Sequence, residues 1–169
     1  MKRVILVLAL TLGLAGTATA QQKVGHINVD ELLAVMPETS TAEAEIQKYA
    51  EQLEGDLAEM QQEYTTKLQN AQANQNTWTQ LRLQKEGEEL QAMEQRMMAF
   101  NQSAQQELQR KQMDLMLPII QKAQNAVNKV AKDNGFAYIL DASPSKAIVI
   151  YLDGGDDVMA LVKVELGIN

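Results

Sequence analysis

IQKYAEQLEGDLAEMQQEYTTKLQNA, residues 46–71, and LQAMEQRMMAFNQSAQQELQRKQMDL, residues 90–115, decide the fold. In the first run Ile46, Ala50, Leu53, Leu57, Met60, Tyr64, Leu68 and Ala71 recur at spacings of three and four. In the second, Leu90, Met93, Met97, Phe100, Ala104, Leu108 and Leu115 keep the same rhythm, with Lys111 at one seam position. That is the period of a helix with one apolar stripe. No proline falls between Ser40 and Leu117, and the polar stretch 70–77 separates the two runs. The spacing therefore predicts a helical hairpin over 40–117 with its turn near Asn74-Gln75-Asn76. Ser40 with Glu43 and Thr77 with Gln80 fit capping boxes for the two helices. Each helix would be roughly 55–60 Å long at the usual rise per residue. An arm of that length must protrude from a chain of 169 residues.

Outward from the arm, residues 21–39 and 118–169 supply a small body. Lys23 to Val29 reads as a strand, and Asp30 as the cap of a short helix that Pro37 ends. Pro118 is expected to break or kink the second long helix. A further helix over 119–132 should stop at Asn134-Gly135. Phe136 to Leu140 and Ala147 to Leu152 are β-branched and aromatic, and are expected to pair as an antiparallel hairpin. Asp153-Gly-Gly-Asp156-Asp157 reads as a turn into a last helix, with Val158, Leu161 and Val162 inward and Gly167 at its end. Three strands with open edges make a poor independent sheet. Subunits that close a larger sheet together are therefore expected, through Ile27, Val29, Ile139, Val149 and Ile150.

Residues 1–20 look like a secretory leader. Lys2-Arg3 precede the apolar run Val4 to Leu14, and Ala18-Thr19-Ala20 supplies small residues before a cut at Gln21. The alternative, a membrane anchor, suits the run poorly because it is short for a bilayer. The expected address is the periplasm, with no integral membrane segment in the mature chain. There is no cysteine, so export brings no disulfide. The formal charge is −7, and loss of Lys2 and Arg3 takes it to −9. Such a chain lacks the clustered cations that nucleic acid requires, and as a whole it would not be drawn to anionic lipid.

Catalysis is not expected. One histidine and no cysteine preclude a Cys/His pair or a His-rich metal site from one chain. His26 reads as a packed or rim residue of a strand. The acidic stretch after Leu152 lacks the alternating ligands and distal Glu of a calcium loop, and no glycine-rich phosphate loop follows a strand. No metal, cofactor or catalytic residue is assigned. The informative side chains are apolar ones off the seam. Methionine suits promiscuous surfaces because it is flexible and polarizable. Met93 and Met97 fall on the seam, whereas Met98 and Leu81 fall outside it. With Met113, Leu83 and Trp78 they form the candidate binding set. Trp78 has two readings, a plug for the turn or a contact for a partner. Gly55 and Gly87 have two as well, tolerated surface residues or points that soften the arm at different heights.

The order of these elements resembles one family. The leader, the Val24-Gly-His-Ile-Asn-Val-Asp30 opening and Met36-Pro37-Glu38 carry the likeness. So do the Gln-rich hairpin, Phe136-Ala-Tyr-Ile-Leu-Asp141 and the closing Asp156-Asp157-Val158. The chain is similar, over essentially its whole length, to the Skp/OmpH-like periplasmic chaperones. The resemblance implies an α+β fold: a small β-barrel trimerisation body from which long antiparallel helical hairpins hang, jellyfish-like, in a homotrimer. It implies an ATP-independent holdase that shelters unfolded outer-membrane β-barrel proteins in a cavity between its arms. Relatives are often basic; this chain is acidic, which puts lipopolysaccharide binding in doubt and shifts capture towards apolar contact. The competing reading is a structural coiled coil of the envelope, a tether or scaffold. It would call for an unbroken heptad and no cavity, and the glycines, short arms and terminal strands disfavour it.

Overall fold

The computed structural model describes residues 22–168, so the leader expected over residues 1–20 lies outside the described residues. Strand β1 (Lys23–Ile27) leads into helix α1 (Val29–Val35). The side chain of Asn28, not Asp30, caps α1 by accepting from the Glu31 amide at 3.1 Å. Helix α2 (Pro37–Ala73) follows after a single residue. Pro37 therefore starts the long helix instead of merely ending the short one, because a first-turn residue needs no amide hydrogen. Ser40 lies inside α2 and is not its cap.

Residues 74–79 turn the chain, and Thr79 caps helix α3 (Gln80–Asn134) by accepting from the Arg82 amide at 3.4 Å. Thr77 instead donates its hydroxyl to the Asn74 carbonyl within the turn. Helix α3 passes through Pro118, so no separate helix begins there. Pro118 and Asp114, whose carbonyl loses its amide partner, are both exposed, and water can satisfy that carbonyl. One helix thus serves as both the arm's second limb and the body's main support. It ends at Gly135, whose φ of 69° gives a left-handed cap.

The body's sheet corrects the strand reading twice. Strand β1 lies at the centre, and β2 (Phe136–Asp141) and the two-residue β3 (Asp156–Asp157) flank it, both parallel to it. No antiparallel hairpin forms, because the run from Ala147 to Leu152 is not a strand within one chain. Ala147 has φ of 50°, in the left-handed region, which interrupts an extended backbone where the run begins. Nor does one chain close a barrel; the sheet is open at β2 and β3. Helix α4 (Met159–Leu166) completes the body, with Val162 buried, Leu161 largely exposed and Gly167 left-handed at its end.

The core is small. Ile119, Ala123, Ala126 and Val130 form the buried stripe of α3 and pack with Ile27, Leu32, Met36, Ala42, Phe136, Val158 and Val162. Asp141 ties this body together. Its Oδ1 accepts from the Ser143 amide at 2.9 Å, the Ser143 hydroxyl at 2.5 Å and the Val29 amide at 3.4 Å. Burial would raise the Asp141 carboxyl, but these hydrogen bonds outweigh it and hold the group below its ordinary value. A carboxyl depressed on folding stabilises above its unfolded pKa, and that contribution vanishes as pH falls through the folded one. Asp141→Ala is expected to cost about 2 kcal/mol by orphaning these donors. Its stability should also fall less steeply as pH drops from the ordinary aspartate value through the lower folded one, because that carboxyl no longer takes up a proton on unfolding.

Above the body, no residue of the hairpin is fully buried, since two helices can cover only one face of each other. Gly55 and Gly87 lie in continuous helix, and a Cβ on either would meet nothing within 4 Å. Replacing both with alanine is expected to stabilise the protein by about 1 kcal/mol per site in thermal melts. No gain would show that the glycines are offset by something other than helix propensity.

Candidate functional site

The arm is the largest surface the chain presents, and its seam is zipped by polar rungs. Tyr49 donates its hydroxyl to Glu107 at 2.9 Å, and Tyr64 donates to Glu94 at 2.5 Å. Donation to a carboxylate raises the pKa of both phenols. Lys111 reaches across to Glu45 at 2.5 Å, and Lys67 to Glu86 and Glu89 at 2.9 and 2.6 Å. Lys122 closes the base against Glu38. Lys67 and Lys111 thus pair across the hairpin although Glu63 and Glu107 stand four residues before them on their own helices. A pair that also joins two helices gains from packing already in place. It explains the charged residue at seam position 111.

The sequence-derived binding residues lie along the arm without forming one patch. Leu81 is 78% exposed, Met98 68% and Met113 64%, all on the outside of α3. They are spaced by ~25 Å and ~22 Å along the helix axis. Met93 and Met97 are half-buried on the seam. Trp78 and Leu83 are half-buried at the tip, and the Arg82 guanidinium stands 4.1 Å over the Trp78 ring. Stacking of this kind leaves one aromatic face engaged and holds the tip's cation in place.

Composition and spacing did not reveal a groove at mid-arm. Leu53, Leu57, Phe100 and Leu108 line it, with Ala50 and Ala104 leaving the space between them unfilled; its volume is about 220 Å³. Two alanines at facing seam positions are its sequence signal. A second hollow shares Leu57, Asn101 and Gln105 with it and runs tipwards past Met97 and Met98. The exposed Met98 therefore borders a mixed hollow, where Leu57 and Met97 lie among Gln61, Asn101, Gln102 and Gln105, next to the apolar groove.

On the body, the five residues expected at subunit contacts part company. Ile27 is 2% exposed and sits in the protomer's own core. Val29, Ile139 and Val149 are half-buried, and Ile150 is 96% exposed. Its neighbours Ile148, Tyr151 and Leu152, with Tyr138 and Leu140 of β2, are also exposed. His26 is half-buried in β1. Asp157 accepts from the Met159 amide at 2.9 Å at the head of α4, and Asp156 pairs with Lys23 at 3.1 Å. Among the described residues no three metal-ligating side chains gather, and no helix is long and apolar enough to cross a membrane.

Comparison with known proteins agrees with this architecture. The chaperone protein Skp of Yersinia enterocolitica is 26% identical over 161 residues, covering 95% of this chain and 96% of the relative. A structure from Caulobacter crescentus, described as an outer membrane chaperone (OmpH-like), superposes with a TM-score of 0.74 at 16% identity. It covers 89% of this chain and 88% of that one, and shows the shared fold. The family model for outer membrane protein (OmpH-like) matches residues 23–166. From the first strand to the last helix, therefore, the chain belongs to the OmpH-like family.

Proposed function

We propose that this protein is a periplasmic holdase chaperone that binds unfolded outer-membrane β-barrel precursors and keeps them from aggregating, without nucleotide. The observation that carries the reading is a protruding two-helix arm with large apolar side chains turned outward at Leu81, Met98 and Met113. With the half-buried Trp78 and Leu83 they are the proposed client contacts. An unfolded barrel precursor exposes alternating apolar residues and aggregates in water. Weak contacts spread along an arm bind such a chain without selecting one sequence, and several arms multiply them by effective concentration. Membership of the family and likeness to a curated Skp chaperone support the same reading.

The proposed assembly is a homotrimer. The open β2 edge and the exposed apolar run from Ile148 to Leu152 support it, since a lone chain leaves both unsatisfied. The deciding experiment dilutes a urea-unfolded barrel protein into buffer with the mature protein and no nucleotide. The precursor is expected to stay soluble at stoichiometric trimer. If it precipitates as it does alone, the tether reading takes the chaperone's place.

A further inference from the structure

The mid-arm groove differs in charge from the rest of the arm. From Tyr49 to Thr66 on α2 and from Met97 to Gln109 on α3 there is no lysine or arginine. Over the same span α2 carries Glu51, Glu54, Asp56, Glu59 and Glu63, and Glu54 stands on the groove's rim. Arg110, next beyond the span, is already bonded to Glu107 at 2.9 Å. Among the described residues none of the five α2 carboxylates is ion-paired; of the cations bordering the span, Lys67 and Lys111 are occupied by other partners, whereas Lys48 and Arg96 stand at its ends without an ion pair. The tip has the opposite sign: no carboxylate lies between Glu63 and Glu86, while Lys67, Arg82 and Lys85 do. The acidic charge of the chain is thus concentrated at the level of its apolar groove.

We propose that this groove takes large apolar side chains from unfolded polypeptide segments that carry lysine or arginine beside them. The inference rests on the chaperone reading above and names the segments that reading leaves open. The floor removes apolar surface from water, which is the main attraction. On the rim Gln105 Nε2 donates to Asn101 Oδ1 at 3.1 Å, which leaves the Asn101 amide nitrogen as donor and the Gln105 carbonyl as acceptor for an extended backbone, without reading its side chains. The α2 carboxylates act over a Debye length and favour a segment with cations flanking the buried residue. The same field repels an acidic segment, so the groove sorts the stretches of one unfolded client by charge.

The test uses the full mature protein and two labelled peptides of equal length with one Leu/Trp-rich core, flanked by lysines in one and glutamates in the other. At low salt the lysine-flanked peptide is expected to bind roughly tenfold tighter, and the ratio should fall towards one at about 0.5 M salt, where the Debye length is only a few ångströms. The variant Glu54→Gln/Asp56→Asn/Glu59→Gln should lose the preference yet keep the affinity common to both peptides. Ala104→Leu, which fills the groove, should weaken both. Equal binding of the two peptides, a preference for the acidic one, or a preference that survives the neutralised variant would each overturn the proposal. If a diluted barrel precursor stays soluble while the peptides bind alike, the chaperone reading stands and this inference fails. If the precursor aggregates and neither peptide binds, both fail.

Discussion

Substituting Asp for Ile150 is expected to leave the protein as folded monomers. In one chain Ile150 is 96% exposed, and Ile148 and Tyr151 beside it are 69% and 80% exposed. A charge placed there harms nothing in a lone protomer. In an assembly that covers this run, the same carboxylate would be buried without a partner, at a cost of several kcal/mol. Every ~1.4 kcal/mol is tenfold in an association constant, so micromolar assembly should be lost. Light scattering would register the fall in mass, and circular dichroism should report unchanged helix. The substitution separates two ideas that a stability measurement alone would merge. A variant that unfolds shows that the body folds only within the assembly; one that assembles like wild type shows that residues 147–152 are not the contact. A wild-type protein that is monomeric at micromolar concentration would sink the trimer proposal outright.

Gly25→Val is expected to destabilise the body by about 3 kcal/mol, the upper part of the range for overpacked cores. Gly25 is buried in the central strand and pairs with Ile139 on one side and Asp156 on the other. A Cβ there would sit 3.0 Å from Val158 Cγ1, and 3.1 and 3.2 Å from the Phe136 ring. Val158 is fully buried and Phe136 nearly so, so neither can retreat into solvent. Valine adds two further methyl groups to that gap. Alanine at the same position should cost less, about 1 kcal/mol, because a few tenths of an ångström of movement accommodates one methyl. Denaturant midpoints followed by near-ultraviolet dichroism of the body would measure both. A Gly25→Val protein as stable as wild type would mean that the strand can shift away from Phe136, and that the packing around β1 is looser than its burial implies.

Much of the fold was legible in the chain before any coordinates. The three-and-four spacing from Ile46 to Ala71 and from Leu90 to Leu115 specified the arm, because a helix satisfies its own backbone and needs only one covered face. Asn134-Gly135 and Gly167 marked two helix ends through the same local chemistry, and the off-seam positions of Leu81 and Met98 predicted their exposure. The tertiary structure decided the rest. Pro37 and Pro118 each read as a break, yet one opens a helix and the other rides on its exposed side; only the surroundings settle whether a missing amide matters. Residues 147–152 form no strand although the β2 edge is open, and the strand directions and the pairing of Asp156–Asp157 with β1 depend on which distant edge is available. Lys67 and Lys111 chose partners across the hairpin for the same reason. The groove between Ala50 and Ala104 exists only where two small residues on different helices come level. Local hydrogen bonding and periodicity are written along the sequence. Non-local contact is set by which surfaces the packed helices bring together.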